Sequence, residues 1–126
     1  MSAYRVVVAC SEAYINVNQR QHWAPRARLT RAWRVAGFVA ARNAMLDGLP
    51  KMQRAHIEAR ISFARAHNGD VANWYPTVKA VLDGVIGDAG LLPDDSDAHL
   101  IGPDMRRGPK GPRRVELIIT ELEALT

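Results

Sequence analysis

The sequence predicts a single-domain α+β fold in which a mixed β-sheet carries two main helices in the order βαβαββ. Three observations predict this class: strand-like runs near both ends and in the middle, two segments with helical spacing of apolar residues, and no internal linker. The chain has 126 residues, of which 48% are hydrophobic, and this suffices for one packed core. We therefore expect one domain over residues 1–126.

The first strand and the first helix are predicted in the N-terminal third of the chain. Residues 4–10 are rich in β-branched side chains, which favour a strand. Over residues 28–45 apolar side chains recur every three or four positions, which predicts a helix. Pro25 opens this helix, and the turn residues 47–50 end it.

The remaining elements follow from the same kinds of pattern. Residues 56–65 alternate apolar and polar side chains, which predicts a half-buried strand. Pro76 suits the first turn of a second helix because its missing N–H needs no partner there, and Gly90 ends that helix. A short extended segment is expected around residues 98–101, and residues 114–120 predict the last strand.

No segment has the length and composition of a membrane span or a signal peptide. The apolar run over residues 6–10 is far too short and is followed by Ser11 and Glu12. The single cysteine, Cys10, cannot form an internal disulfide and suits a core position. These observations predict a soluble cytoplasmic protein with no membrane partner.

Charge is segregated along the chain, whose formal net charge is +4. Residues 13–46 contain arginines but no acid, residues 83–104 contain six Asp and no Lys or Arg, and a second basic run follows. That run, residues 106–114, overlaps the Gly- and Pro-rich stretch 102–112, which is expected to form a mobile basic surface loop. The pattern suits a protein that attracts a polyanion, although surfaces also segregate charge without that role. Candidate nucleic-acid contacts are Arg20, Arg26, Arg28, Arg31, Arg34, Arg106, Arg107, Lys110 and Arg113.

Four aspartates form a candidate acidic centre. Asp70 follows the predicted middle strand, where a side chain is exposed yet held by rigid structure. Asp83 lies four residues after Lys79, so that both share one helix face. Asp94 and Asp95 lie in the turn after this helix, which can return them towards the sheet. Carboxylates suit Mg²⁺, which would activate water for phosphodiester hydrolysis while the lysine contacts the phosphate.

The same residues have ordinary structural explanations. A Lys–Asp pair four residues apart is a common ion pair on a helix surface, and an Asp-rich turn often serves only turn or capping chemistry. Other chemistries lack their motifs, because the four His and one Cys show no zinc-type spacing and no phosphate loop or nucleophile elbow occurs. Spacing alone therefore favours a surface charge cluster over a catalytic site.

Four segments keep a distinctive order and spacing along the chain. They are Asp70-Val-Ala-Asn73, Lys79-Ala-Val-Leu-Asp83, Ala89-Gly-Leu-Leu-Pro-Asp-Asp95 and Arg114-Val-Glu-Leu-Ile-Ile-Thr-Glu121. Ahead of the arginine-bearing helix stand Asn18, Arg20 and the run Gln21-His22-Trp23. Together these features resemble the RusA family of Holliday junction resolvases, which are crossover junction endodeoxyribonucleases.

The resemblance implies a homodimeric, Mg²⁺-dependent endonuclease, with Mn²⁺ as an alternative ion. Such an enzyme cuts paired strands of four-way DNA junctions in recombination, repair or phage DNA processing, in a bacterial or phage-infected cell. A four-way junction is nearly two-fold symmetric, so a symmetric dimer can place one site on each of two opposed strands. The implied metal ligands are Asp70, Asp83, Asp94 and Asp95, and the implied catalytic residues are Asp70, Lys79, Asp83 and Asp95, with Asn73 beside them.

Two departures from the family pattern concern the site itself. Ala72 stands where family members carry a second Asp, and the segment 74–78 separates Asn73 from Lys79 by three more residues. Asp83 with Asp94 or Asp95 would then replace the missing ligand. The alternative is a branched-DNA-binding protein with weak or no nuclease activity. A domain that binds no nucleic acid is a third reading.

Overall fold

The computed structural model describes residues 2–18, 23–65 and 69–125, without the side chains of residues 23 and 24. A 3₁₀ turn over Val71–Trp74 precedes the second helix, and a π-helical segment over Asp83–Asp88 extends it. The described elements confirm an α+β domain with a mixed sheet and two helices in the predicted order. They are β1 (Ala3–Ala9), α1 (Trp23–Leu46), β2 (Ala55–Ser62), α2 (Tyr75–Leu82), β3 (Leu100–Arg107) and β4 (Arg114–Glu121).

The strands form one mixed sheet in the spatial order β1-β4-β2-β3. β4 pairs antiparallel with both of its neighbours, whereas β3 runs parallel to β2. Parallel pairing needs a crossover connection, which α2 and the segments around it supply. In the described part of the chain, β1 and β3 are therefore the edges of the sheet.

One face of the sheet is buried beneath the helices. Alternate residues of a strand share a face, and the inward-facing set of β2 and β4 is fully buried. The inward-facing set is Ala55, Ile57, Ala59, Ile61, Val115, Leu117 and Ile119, and it packs against Leu29, Trp33, Val78, Val81 and Val85.

Among the described residues no helix is both long and apolar enough to cross a membrane.

Two glycines allow α1 to lie directly against α2 and its π-helical extension. A Cβ added at Gly37 would overlap the carbonyl oxygen of Val81, and one added at Gly84 would overlap the carbonyl oxygen of Arg34. Backbone atoms therefore meet where the two helices cross. This contact fixes the start of the π-helical segment, and with it Asp83, against α1.

The prediction of a mobile loop over residues 102–112 is wrong for its first half. Residues 102–107 belong to β3, an edge strand, where Pro103 removes no hydrogen bond that the sheet requires. Gly102 has a φ of 112°, and a Cβ added there would lie 2.6 Å from the carbonyl oxygen of Ile57. Glycine and proline therefore mark an irregular edge strand here, and only residues 108–113 connect β3 to β4.

Candidate functional site

Lys79 joins two of the predicted acidic residues. Its Nζ lies 2.6 Å from Oδ1 of Asp83 and 3.0 Å from Oδ2 of Asp95. The lysine belongs to α2, Asp83 is the first residue of the π-helical segment, and Asp95 comes from the connection to β3. The three side chains are 43%, 33% and 51% exposed, respectively, so water and a ligand can reach them.

A cavity of about 180 Å³ lies beside the two ion pairs of Lys79. We use the name Lys79 cluster for Lys79, Asp83, Asp94 and Asp95. Oδ1 of Asp94 accepts a hydrogen bond of 2.8 Å from the N–H of Ser96, so one of its oxygens serves the local turn. The cavity is lined by Asp83, Ile86, Gly87, Pro93, Asp94 and Asp95.

Buried leucines fix the turn that carries Asp94 and Asp95. Leu91 is fully buried, and Leu92 is 2% exposed. The N–H of Met52 donates a hydrogen bond of 2.8 Å to the carbonyl oxygen of Leu91, which ties the turn to the chain ahead of β2. The two aspartates therefore stand on an anchored segment.

Hydrogen bonds within the Lys79 cluster and its turn favour the charged forms of Lys79 and Asp94. The hydrogen bond to Asp83 is the main reason that the pKa of Lys79 lies above its ordinary value; partial burial opposes this effect, and Asp95 adds to it. Hydrogen bonds from Ser96 lower the pKa of Asp94. At neutral pH the lysine is therefore an ammonium and Asp94 a carboxylate.

Asp70 caps a turn in this structure. Its Oδ1 accepts a hydrogen bond of 3.1 Å from the N–H of Ala72 at the start of the 3₁₀ turn. β2 ends at Ser62. Asp70 therefore does not come directly after this strand, contrary to the position predicted from the sequence. The carbonyl oxygen of Asn73 accepts a hydrogen bond of 2.8 Å from the N–H of Val17. Neither Asp70 nor Asn73 lines the cavity.

The donor atoms of the Lys79 cluster suit Mg²⁺ by type, because this ion prefers carboxylate oxygens. Their arrangement does not fit it, since the lysine ammonium is bonded to one oxygen of Asp83 and one of Asp95. Residues 2–18, 23–65 and 69–125 contain no group of three His, Cys, Asp or Glu side chains placed to hold a metal ion. The predicted gathering of four aspartates around one ion is thus not present in this arrangement.

The predicted DNA-contacting arginines of α1 are largely bonded within the protein. Arg34 makes two hydrogen bonds of 2.8 Å to Asp88, and Arg28 makes one of 2.9 Å to Glu12. Arg26 donates to the carbonyl oxygen of Asn16 at 3.2 Å. In the described residues, Arg31 alone of this set is exposed without an acidic partner. Arg20 lies outside the described residues, as does His22.

A second group of cations lies where β2 and β3 end and β4 begins. Arg107 donates to the carbonyl oxygen of Gly69 at 2.7 Å, and its guanidinium lies 5.3 Å from the ring centre of Phe63. Arg113 lies 5.5 Å from the ring centre of Tyr14. We use the name sheet-end basic surface for Arg65, Arg106, Arg107, Lys110 and Arg113, all of them exposed.

Carboxylates of the described residues do not neutralise the sheet-end basic surface. Within the described ranges none of its members forms an ion pair with a carboxylate, in contrast to Arg28 and Arg34 on α1. Sequence reasoning missed Arg65, whose only signal was its place at the end of the predicted middle strand. Pairing between acidic and basic residues far apart in sequence decides which arginines remain free, and composition does not reveal it.

The structure therefore brings together Lys79, Asp83, Asp94 and Asp95. It places Asp70 at the N-cap of the 3₁₀ turn before α2 and Asn73 within that turn. Arg28 and Arg34 on α1 form ion pairs with carboxylates, whereas the described residues offer no acidic partner to the basic residues at the end of the sheet. No model of a known protein family matches the chain, and a search of curated proteins finds no significant match.

Proposed function

We propose that this protein is a DNA endonuclease that cuts four-way junctions, depends on Mg²⁺ and acts as a homodimer. The observation that carries the proposal is the convergence of Asp83 and Asp95 on Lys79 beside a cavity. These residues come from separate elements, and they are three of those that the resemblance to the RusA family implies for catalysis.

The chemistry of the Lys79 cluster supports phosphodiester hydrolysis. An ammonium group beside a cavity can stabilise negative charge on a phosphate oxygen, which is a large contribution in phosphoryl transfer. Lys79 has this character, and its two carboxylate partners keep it close to the cavity. We assign to this lysine the role of contacting the phosphate.

Positive charge elsewhere supports binding of a nucleic acid. The sheet-end basic surface carries five unpaired cations, and such groups bind phosphates with little regard to base sequence. Arg107 and Arg113 lie over aromatic rings, which holds their guanidinium groups in place. A two-fold symmetric dimer would present two such surfaces to the arms of a junction.

Substitution of single aspartates tests the proposed site. Asp83→Asn and Asp95→Asn should lower Mg²⁺-dependent nicking of a synthetic four-way junction by about 100-fold or more, because each removes a carboxylate of the cluster. Junction binding should change by less than about threefold, since neither residue belongs to the basic surface. Asp97→Asn is the matched control, because Asp97 is an exposed acid of the same segment that does not line the cavity.

Asp70→Asn belongs in the same series. Loss of nicking in this variant would assign a catalytic role to the residue that caps the 3₁₀ turn. Unchanged nicking in both Asp83→Asn and Asp95→Asn would contradict the proposed site.

A second candidate function is binding of branched DNA without catalysis. Ala72, and the bonding of the lysine to both carboxylates, favour it, because an enzyme needs carboxylates that are open to an ion. This candidate predicts tight, salt-sensitive junction binding with no cutting in Mg²⁺ or Mn²⁺. If junction DNA fails to bind at low salt, both candidates are excluded.

A further inference from the structure

The two edges of the sheet differ in their protection against pairing with a further strand. On β3, Gly102 and Pro103 make the strand irregular, and its register with β2 shifts once. Two arginines, Arg106 and Arg107, add charge at its end. Such features keep an edge from accepting another strand. β1 contains no glycine or proline, and it pairs with β4 over Ala3–Ala9 without a shift. β1 is therefore the edge that is open to a further strand.

The side chains and backbone of β1 favour such pairing. The run Val6-Val-Val8 is β-branched, and Val7 is 40% exposed on the face of the sheet that the helices leave open. Arg5 is the one charged residue of this strand, and it is bonded to Glu116 at 2.9 Å. Pairing with β4 uses the backbone groups of alternate residues, so the remaining groups point outward. Within residues 2–18, 23–65 and 69–125, nothing hydrogen-bonds to these outward groups.

A cavity of about 280 Å³ lies between this edge and the C-terminal end of α1. A strand added to β1 would place one of its alternate side chains over the cavity. Asp47 is exposed there and forms no ion pair with any described residue. The cavity therefore suits a side chain with an apolar stem and a positive end group. Its lining residues are Tyr4, Arg5, Val6, Ala44, Asp47, Gly48 and Leu49.

We propose that the outer edge of β1 binds an extended segment of a partner protein as a fifth strand, and that a Lys or Arg of this segment enters the cavity and pairs with Asp47. Main-chain hydrogen bonds supply the affinity, and the cavity selects the side chain. This interaction goes beyond the nuclease function proposed above and does not depend on it.

A second copy of this chain fits the edge less well. In a symmetric antiparallel pair, the added β1 would keep its alternation, so that Tyr4, Val6 and Val8 would face the helices. Its Arg5 would lie on the open face. Such a strand brings no positive group to Asp47, which follows α1 on the helix side. Charge complementarity therefore favours a segment of another protein.

Titration of the ¹⁵N-labelled wild type with synthetic peptides tests the proposal. The probe is a capped nine-residue peptide of alternating Val and Thr with a central Lys, and backbone amide shifts report where it binds. Amides of β1 should shift along a saturable curve with a Kd of about 100 µM or tighter, while those of β3 stay in place. The same peptide N-methylated at every residue should not bind, because it has no backbone donor.

Selectivity for a basic side chain is tested at Asp47. Replacement of the central Lys of the peptide by Glu should weaken binding to the wild type about fivefold. Asp47→Asn should weaken binding of the Lys peptide about threefold and remove most of the preference for Lys over Glu. Asparagine keeps the size of this exposed side chain, so the fold is retained. Asp97→Asn is the matched control and should bind both peptides as the wild type does, because Asp97 lies outside the cavity.

The opposite results are equally clear. If the β1 amides do not shift at millimolar peptide, or shift equally with the N-methylated peptide, strand addition is excluded. Equal binding of the Lys and Glu peptides to the wild type overturns the assignment of a basic segment. If the β1 amides instead shift with protein concentration as a dimer forms in sedimentation, the edge belongs to a second copy and the proposal is wrong. Each of these results leaves junction cleavage as a separate question.

Discussion

Among single residues, Glu116 is a buried carboxylate that bonds to arginines of both neighbouring strands. This β4 side chain is 7% exposed and lies between Arg5 on β1 and Arg60 on β2, at 2.9 Å and 3.5 Å respectively. Its hydrogen bond from Arg5 is the main reason that its pKa is lowered below the ordinary value of 4.5; burial opposes this effect, and the charges of Arg5, Arg60 and Arg114 add to it. A buried carboxylate is tolerated here because two arginines bond to it.

The lowered pKa of Glu116 predicts a loss of stability in acid. Its contribution is fully present above the unfolded-state pKa and is lost as pH falls through the lower folded-state pKa. Glu116→Gln should therefore reduce the fall in unfolding temperature as pH drops below about 4.5, and it should cost about 1 kcal/mol at neutral pH. Thermal unfolding at a series of pH values measures both effects. Glu123→Gln is the exposed control, and an acid profile identical to that of the wild type would refute the role of Glu116.

The difference between paired and unpaired arginines makes a second prediction at this scale. Arg113→Ala should weaken junction binding about threefold to tenfold, because no carboxylate pairs with its charge in the protein. The slope of the logarithm of the binding constant against the logarithm of salt concentration should become smaller by about one. Arg34→Ala should have less effect, since Asp88 already neutralises Arg34. Fluorescence anisotropy over a range of salt concentrations compares the two, and an equal loss in both would contradict the division.

Sequence reasoning reached part of the site at this scale. The spacing of four residues predicts that Lys79 and Asp83 share a helix face, and the ion pair confirms it. The approach of Asp95 depends on a tertiary turn, and local periodicity carries no information about it. Asp70 caps the 3₁₀ turn, a position that Asp favours, and its catalytic role stays a prediction.

At the scale of elements, the crossing of α1 and α2 decides where Asp83 lies. The helix ends in a π-helical segment, and such segments often occur at functional sites. Its second residue, Gly84, is the point at which the backbone touches α1. Apolar periodicity predicted a helix in this region, but it could not predict the widened turn, which depends on the contact with α1.

Two glycines of the π-helical segment allow a matched test of this contact. Gly84→Ala should destabilise the protein by about 3 kcal/mol, because the added methyl group overlaps the backbone of α1. Gly87→Ala should be neutral or slightly stabilising, since nothing lies within 4 Å of a Cβ there. Urea denaturation measures both, and similar stabilities for the two variants would show that the helices can separate without cost.

The strands show where local signals mislead. β1, β2 and β4 have the alternating or β-branched patterns that predict them, whereas β3 contains Gly102 and Pro103 and resembles a loop. Both residues are accommodated because β3 lies at the edge of the sheet. Position within a sheet is a tertiary property, so sequence pattern alone could not assign this strand.

At the scale of the whole molecule, the fold separates two kinds of charged surface. The sheet-end basic surface forms where β2 and β3 end, and the Lys79 cluster forms along α2 and the connection to β3. Patterns along the sequence predicted an α+β domain and segregated charge. The strand order β1-β4-β2-β3 and the pairing of α1 arginines with acids required the three-dimensional arrangement.

Cleavage of a synthetic four-way junction by the wild-type protein tests the proposed function most directly. The substrate is compared with a linear duplex of the same sequence, each in Mg²⁺ and in EDTA. We predict paired nicks in opposed strands of the junction in Mg²⁺, little cutting of the duplex, and no cutting in EDTA. Tight junction binding without any cutting in Mg²⁺ or Mn²⁺ would contradict it and favour the branched-DNA-binding alternative.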